Sequence, residues 1–168
     1  MNKKRLFILL LIAIQVCYLL FLTLSYYSIS WYGKEITLKT APVDPSDLFR
    51  GDYVILNYDI NEVNADLWKE KDNINDHSTL YVTLQRKGTY FNVTGLSSTK
   101  PSSLLSNAVV MKARLDYADN EHIYLTYGIE QYYVEDNTGE KWEKKRGLFD
   151  VNVKVTSWGQ AISSIAWK

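Results

Sequence analysis

Leu6–Tyr27, LFILLLIAIQVCYLLFLTLSYY, runs for 22 residues without a charged side chain, and its clearly polar positions are Gln15, Thr23 and Ser25. No other feature restricts the chain as strongly. As a helix rising about 1.5 Å per residue the run would be roughly 33 Å long, which matches a hydrocarbon core of about 30 Å. Tyr26, Tyr27, Trp31 and Tyr32 cluster at its far end, where rings with an apolar body and a polar tip settle at a membrane interface. Lys3, Lys4 and Arg5 precede it, so the positive-inside rule puts the N-terminus in the cytoplasm. A cleavable signal peptide has a shorter apolar core and a small-x-small site. Ser28-Ile29-Ser30 resembles such a site, but the run is too long. Gln15 and Val16 stand before Cys17 where a lipoprotein signal has small residues, so Cys17 reads as a thiol within the membrane. The expectation is a cytoplasmic tip and transmembrane signal anchor over 1–32, then an extracytoplasmic domain over 33–168.

Beyond Gly33 the pattern changes to short alternating runs between turn residues, the period of half-buried strands. Lys34–Thr40 alternates Ile36 and Leu38 with charged neighbours. Tyr53–Ile60 puts Tyr53, Ile55 and Asn57 on one face and Val54, Leu56 and Tyr58 on the other. Asn61–Lys71 reads as a short helix capped by Asn61, with Val63, Leu67 and Trp68 as its stripe. Leu80–Gln85 and Tyr90–Thr94 predict a hairpin around Lys87-Gly88, and Ala108–Tyr117 with His122–Tyr127 another around Asp119-Asn120. Gly128–Glu135 reads as a helical or irregular crossing and Asn137–Arg146 as charged surface. Phe149–Thr156 alternates cleanly, and Ser157-Trp158-Gly159 turns it into Gln160–Trp167. That is seven or eight strands without a crossover helix after each, which excludes a parallel βαβ sheet. The fold class is mainly β: one N-terminal transmembrane helix, then an antiparallel β-sandwich or partly open barrel with one or two short helices.

Composition narrows the chemistry. The 19 basic and 19 acidic residues cancel, and a nucleic-acid partner would call for a basic field. A single cysteine permits no intramolecular disulfide and no cysteine zinc site. His77 and His122 lack the spacing of a metal pair. Asp116–Glu121, DYADNE, resembles a calcium loop, yet Ala118 stands at a ligand position and no closing glutamate follows at the required spacing. No nucleophile elbow, Walker loop or dinucleotide fingerprint is present. Catalytic residues, metal ligands and cofactors are therefore not assigned.

Two blocks stand out. The first is Asp44–Tyr58, DPSDLFRGDYVILNY, and the second Tyr127–Asp136, YGIEQYYVED. Leu48, Gly51 and Asp52 are similar to the region of type I signal peptidases that carries the nucleophilic serine. On that alignment Val43 occupies the serine's place, and a serine–lysine mechanism cannot run from valine. Gly51–Tyr58 matches every fixed position of the GDYXXLXY signature, and the chain resembles that family of bacterial membrane-anchored proteins. The lead-in from Thr40 and the second block, with Glu140 or Glu143 for its downstream glutamate, resemble the family too. The resemblance implies an envelope location and a polytopic membrane protein as partner.

Read as residues, Pro42 and Pro45 fix φ on the approach to the strand, and Gly51 permits a φ that a bulge or turn requires. Asp44 or Asp52 can accept N–H bonds across the turn, and Arg50 can clamp Glu130 through a two-pronged contact. Tyr53 and Tyr58 fall on opposite faces because side chains alternate. Two readings stand. One is a structural clamp joining the blocks. In the other, Arg50, Asp52, Tyr127, Glu130 and Gln131, beside Gly128, converge as a polar binding rim. At the level of function the chain reads as a non-enzymatic accessory or binding subunit. An envelope enzyme with Asp52 and Glu130 as acid and base is the alternative, and a plain spacer is the third.

Overall fold

The computed structural model describes residues 3–41, 49–50, 53–68, 78–133 and 149–167, with the side chains of Phe49, Arg50 and Trp167 outside the description. Helix α1 (Lys3–Tyr32) is followed by β1 (Lys34–Lys39), β2 (Phe49–Arg50), β3 (Tyr53–Ile55) and β4 (Glu62–Asn64). A 3-10 turn (Ala65–Leu67) leads to β5 (Thr79–Lys87), β6 (Tyr90–Ser97), β7 (Ala108–Ala118) and β8 (His122–Thr126). Three strands follow: β9 (Gln131–Tyr133), β10 (Phe149–Val155) and β11 (Gln160–Trp167). They assemble as three antiparallel sheets, β1-β10-β11, β2-β3-β9 and β4-β8-β7-β5-β6, wrapped around one core. The mainly β, antiparallel class expected from the alternation is what the chain adopts.

Side-chain alternation explains the core. Leu80, Val82 and Leu84 from β5, Met111, Ala113 and Leu115 from β7, and Val151, Val153 and Val155 from β10 all turn inward and are buried. Their β-branched and leucine side chains suit a pleated, half-buried surface. Val54, Leu56 and Tyr58 are buried while Tyr53 and Ile55 are half-buried and Asn57 is exposed, so the two faces of that run are divided as its alternation predicts. Thr40 is the buried polar exception among the described residues. Its hydroxyl donates to Phe149 O at 3.0 Å and accepts from Phe149 N–H at 2.7 Å, so it extends the β1–β10 ladder past the last strand residue.

Three local expectations are corrected. Glu62–Asn64 is a strand paired with β8, Val63 opposite Ile123, and only a 3-10 turn follows it where a helix from Asn61 was expected; residues 69–71 lie outside the described set. The cap is Asn64, whose side chain accepts from Asp66 N–H at 2.8 Å, because Asn61 is engaged elsewhere. The run from Tyr53 leaves strand geometry after Ile55 and regains a single bridge, Thr40 to Tyr58. Finally, Gln131–Tyr133 pairs with β3, Tyr133 opposite Tyr53, where a crossing was expected; 134–135 lie outside the described residues, as do His77 and 137–146.

Helix α1 is apolar all round and long enough to cross a membrane, a property shared by anchors and signal sequences. Protein buries it only at Ile29. There the helix end is fastened to the β10 side: Lys154 Nζ donates to Ser30 O at 2.5 Å, and Trp158 Nε1–H, in the turn after β10, donates to Ser28 Oγ at 3.2 Å. Gly33 is required by close approach, since a Cβ at that position would fall 2.4 Å from Ile29 O and 2.7 Å from Lys154 Cβ. Gly33→Ala should therefore force helix and sheet apart and destabilise the full chain by about 1–3 kcal/mol. Gly95→Ala, with nothing within 4 Å of its Cβ, should change stability by less than about 0.5 kcal/mol. Thermal melts of both variants in detergent check the contrast.

Candidate functional site

The two motif blocks meet at Tyr58. Leu56 N–H donates to Glu130 O at 2.7 Å, setting the chain beyond β3 against the chain before β9. Two residues later the Tyr58 hydroxyl donates to Ile129 O at 2.7 Å, and the Tyr127 hydroxyl donates in the opposite sense to Ile60 O at 2.9 Å. The exchange is reciprocal: one tyrosine comes from each block, Tyr58 reaches a carbonyl of the second block, and Tyr127 reaches the carbonyl of Ile60, two residues beyond the first. Both rings are buried, and a buried carbonyl deprived of its donor costs roughly 1–3 kcal/mol.

The second block can reach this geometry because it folds on itself. Gly128 takes φ +76°, a left-handed conformation that side chains resist, and the chain turns so that Glu130 Oε1 accepts from Tyr127 N–H. The same oxygen accepts from Asn61 Nδ2 at 3.2 Å. Asn61 is a residue that sequence reasoning placed in a helix cap and so missed. Its Oδ1 accepts from Tyr58 N–H at 2.6 Å, and its Nδ2 also donates to Leu125 O at 2.7 Å. Leu125 N–H returns a bond to Asn61 O at 2.8 Å, which joins the cluster to β8. A polar residue three positions beyond a buried tyrosine is the signal that could have pointed to this role, because Asn side chains bond nearby backbone.

Electrostatics follow from burial. Desolvation raises the Tyr58 and Tyr127 hydroxyls above the ordinary value of 10.0, and the Glu130 carboxylate pushes both further up. Near neutral pH they are fixed neutral donors. Outside the cluster a cleft of about 710 Å³ opens, lined by Asp59, Glu62, Asp116, His122 and Glu130 among others. Its charges are partly matched: Lys39 Nζ lies 3.0 Å from Asp59, Arg114 Nε 3.1 Å from Asp116, and His122 Nε2 3.6 Å from Glu62. Thr126 Oγ1 donates to Asp116. At the adjoining turn Asp119 accepts from the His122 and Glu121 N–H groups, which hold its carboxyl below the usual range. That turn is a self-bonded hairpin end. Among the described residues no group of three His, Cys, Asp or Glu side chains is placed to hold a metal ion.

Of the sequence-predicted residues, Leu56, Tyr58, Tyr127 and Glu130 come together around Asn61. Tyr53 lies on the other face of its strand, its ring 6.0 Å from that of Tyr133. Gly128 and Gln131 are exposed, and Gln131 stands opposite Ile55. Arg50 stands opposite Tyr53 on β2, while its side chain, and Asp44, Pro45, Gly51 and Asp52 entirely, lie outside the described residues. A binding rim that includes Tyr127 is not what the described residues form, since that hydroxyl is buried against Ile60 O. Chemically the cluster accepts and donates internally, and the cleft beside it presents carboxylates to whatever enters.

A family model described as GDYXXLXY protein matches residues 15–164, so the chain belongs to the GDYXXLXY family. No curated protein and no solved structure matches it.

Tyr58→Phe and Tyr127→Phe should each lower stability by about 1–3 kcal/mol. The double variant should cost less than the sum, because both bonds clamp the same two segments. The pH dependence has a definite sign. A native-state tyrosine with raised pKa keeps its proton where the unfolded chain has lost it, so its stabilisation is complete below pH 10 and falls as pH rises beyond it. The loss should reach about 1.4 kcal/mol per pH unit for each tyrosine. Urea melts at increasing alkalinity should show the double Phe variant losing less per pH unit than the wild type.

Proposed function

We propose that this member of the GDYXXLXY family is a membrane-anchored, extracytoplasmic β-domain that serves as an accessory or binding subunit of an envelope complex and performs no chemistry of its own. One observation carries the reading. Tyr58 of the first block and Tyr127 and Glu130 of the second hold backbone and amide groups of the same chain, so these residues build the domain and recognition falls to its outer surface. A catalytic acid or base must exchange a proton with a substrate at a pKa near the working pH. Tyrosines pushed upward by burial do not, and Glu130 would have to release Tyr127 and Asn61 first. That counts against the alternative of an envelope enzyme using Asp52 and Glu130.

In this reading α1 crosses the membrane with Lys3, Lys4 and Arg5 inside, and the β-domain from Gly33 stands outside. The partner is a polytopic membrane protein, the class the family resemblance implies. The cleft's carboxylates suit an outer segment of that partner bearing Lys or Arg, because complementary potentials set register and speed encounter. Protease added outside intact protoplasts should digest the chain beyond Lys34, and protection there would contradict the orientation. A photo-crosslinking residue at exposed, cleft-lining Asn57 should trap a discrete membrane-protein adduct in native membranes. Turnover of an envelope substrate by the purified chain, lost in a Glu130→Gln variant with unchanged melting temperature, would overturn the non-enzymatic reading.

A further inference from the structure

The face around the exit of α1 differs from the rest of the domain. Trp158, in the turn between β10 and β11, donates through Nε1–H to Ser28 of the helix, and Ile29 packs against Gly159. The loop before β7 joins them there: Lys34 Nζ donates to Ser106 O at 3.3 Å, and Lys100 Nζ donates to Ser157 O at 3.5 Å. Three large apolar side chains on this face are left open to solvent, Leu104 at 46%, Leu105 at 65% and Trp158 at 50%. Among the described residues outside α1, the other large apolar side chains so exposed are Tyr117 and Tyr133.

Between the loop and the turn lies a hollow of about 210 Å³. Among the described residues Lys34, Lys100 and Lys112 line it, and no carboxylate does. The described ion pairs involve none of these lysines, although Glu35 follows Lys34 and stands opposite Lys154 on the β1–β10 pair. The acidic cleft lies at the other end of β1: Lys34 starts the strand and Ala41, which lines the cleft, is seven residues further, about 23 Å at roughly 3.3 Å per residue. Among the described residues the domain is thus polarised, with lysines lining the hollow beside the helix and carboxylates lining the cleft away from it.

Apolar tips ringed by lysines at the end of an apolar helix are the makings of an interfacial membrane contact, in which side chains enter the headgroup layer and cations meet anionic lipid. We propose that this face rests on the bilayer, with Leu104, Leu105 and Trp158 in the headgroup layer and an anionic phospholipid phosphate held by Lys34, Lys100 and Lys112. Charge complementarity and continuity with the helix surface select lipid as the occupant. The proposal rests on the anchor reading of α1 and adds that the helix holds the domain down on the membrane.

The test uses the full chain in phosphatidylglycerol-containing vesicles, with an environment-sensitive fluorophore at one site at a time. The sites are native Cys17 and, in a Cys17→Ser background, Leu105→Cys, Ser157→Cys and Asn120→Cys. Labels at 105 and 157 should be quenched by headgroup-level lipid nitroxides and give several-fold lower iodide quenching than the label at 120 on the far hairpin. Lys100→Glu with Lys112→Glu should restore iodide access at 105. If 105 and 157 are as open to iodide as 120 while the Cys17 label is quenched by deep nitroxides, the face does not dock and the anchor stands. If the Cys17 label escapes deep nitroxides, the anchor reading itself fails. Shielding of 105 in native membranes but not in lipid vesicles would assign the face to a protein partner and overturn the lipid assignment.

Discussion

Two tyrosine hydroxyls, each donating to a carbonyl of the other's segment, hold the place where the three sheets meet. Tyr58 bridges to Thr40 at the end of β1, reaches Ile129 ahead of β9 through its hydroxyl, and gives its N–H to Asn61 ahead of β4. Tyr127 leaves β8 and returns a bond to Ile60. One junction therefore ties β1, β3, β4, β8 and β9, and it lies where regular pairing stops. Sheet ladders satisfy their own backbone groups. A junction between sheets does not, and a buried carbonyl left without a donor there is costly. Long side chains with a terminal hydroxyl can reach such groups from inside the core, which accounts for tyrosine at both positions.

Glu130 shows why a carboxylate can belong to such a place. It sits half-buried at the cleft edge, and its Oε1 caps Tyr127 N–H while also accepting from Asn61. A glutamine at this position could still accept through its carbonyl oxygen, whereas leucine would leave both donors unpaired. The fixed letters of the first block within the described residues divide the same way. Leu56 fills the core and uses its N–H, Tyr58 spans the junction, and Tyr53 faces the other side against Tyr133.

Much of the fold was legible because alternation is a local property. The helix follows from an unbroken apolar run, and the two hairpins and the β10–β11 pair follow from a period of 2 with turn residues between the strands. The region 61–68 was misread because Val63 and Leu67 at i, i+4 fit a helical stripe as well as a strand followed by a tight turn, and pairing of Glu62–Asn64 with β8 decided between them. The site was half legible. A joining of the strand-starting turn to the YGIE block was expected through Arg50 and Glu130, and the Arg50 side chain lies outside the described residues. The ties the structure describes run through Asn61 and through backbone carbonyls, which have no letter in a sequence. The polarised surface was hidden for a related reason, since a net charge of zero carries no record of which end each charge occupies.

Amide hydrogen exchange measured residue by residue on the folded full chain tests the junction most directly. Leu56, Leu125 and Tyr127 donate their N–H groups within it, to Glu130 O, Asn61 O and Glu130 Oε1. If the tyrosine exchange holds the sheets together, these amides open only when the whole domain unfolds. Their protection should equal that of the central β5 and β7 amides and fall with them in Tyr58→Phe. Exchange at these amides on the timescale of exposed loops, with β5 and β7 still protected, would show that the sheets stand without the junction and would contradict the account.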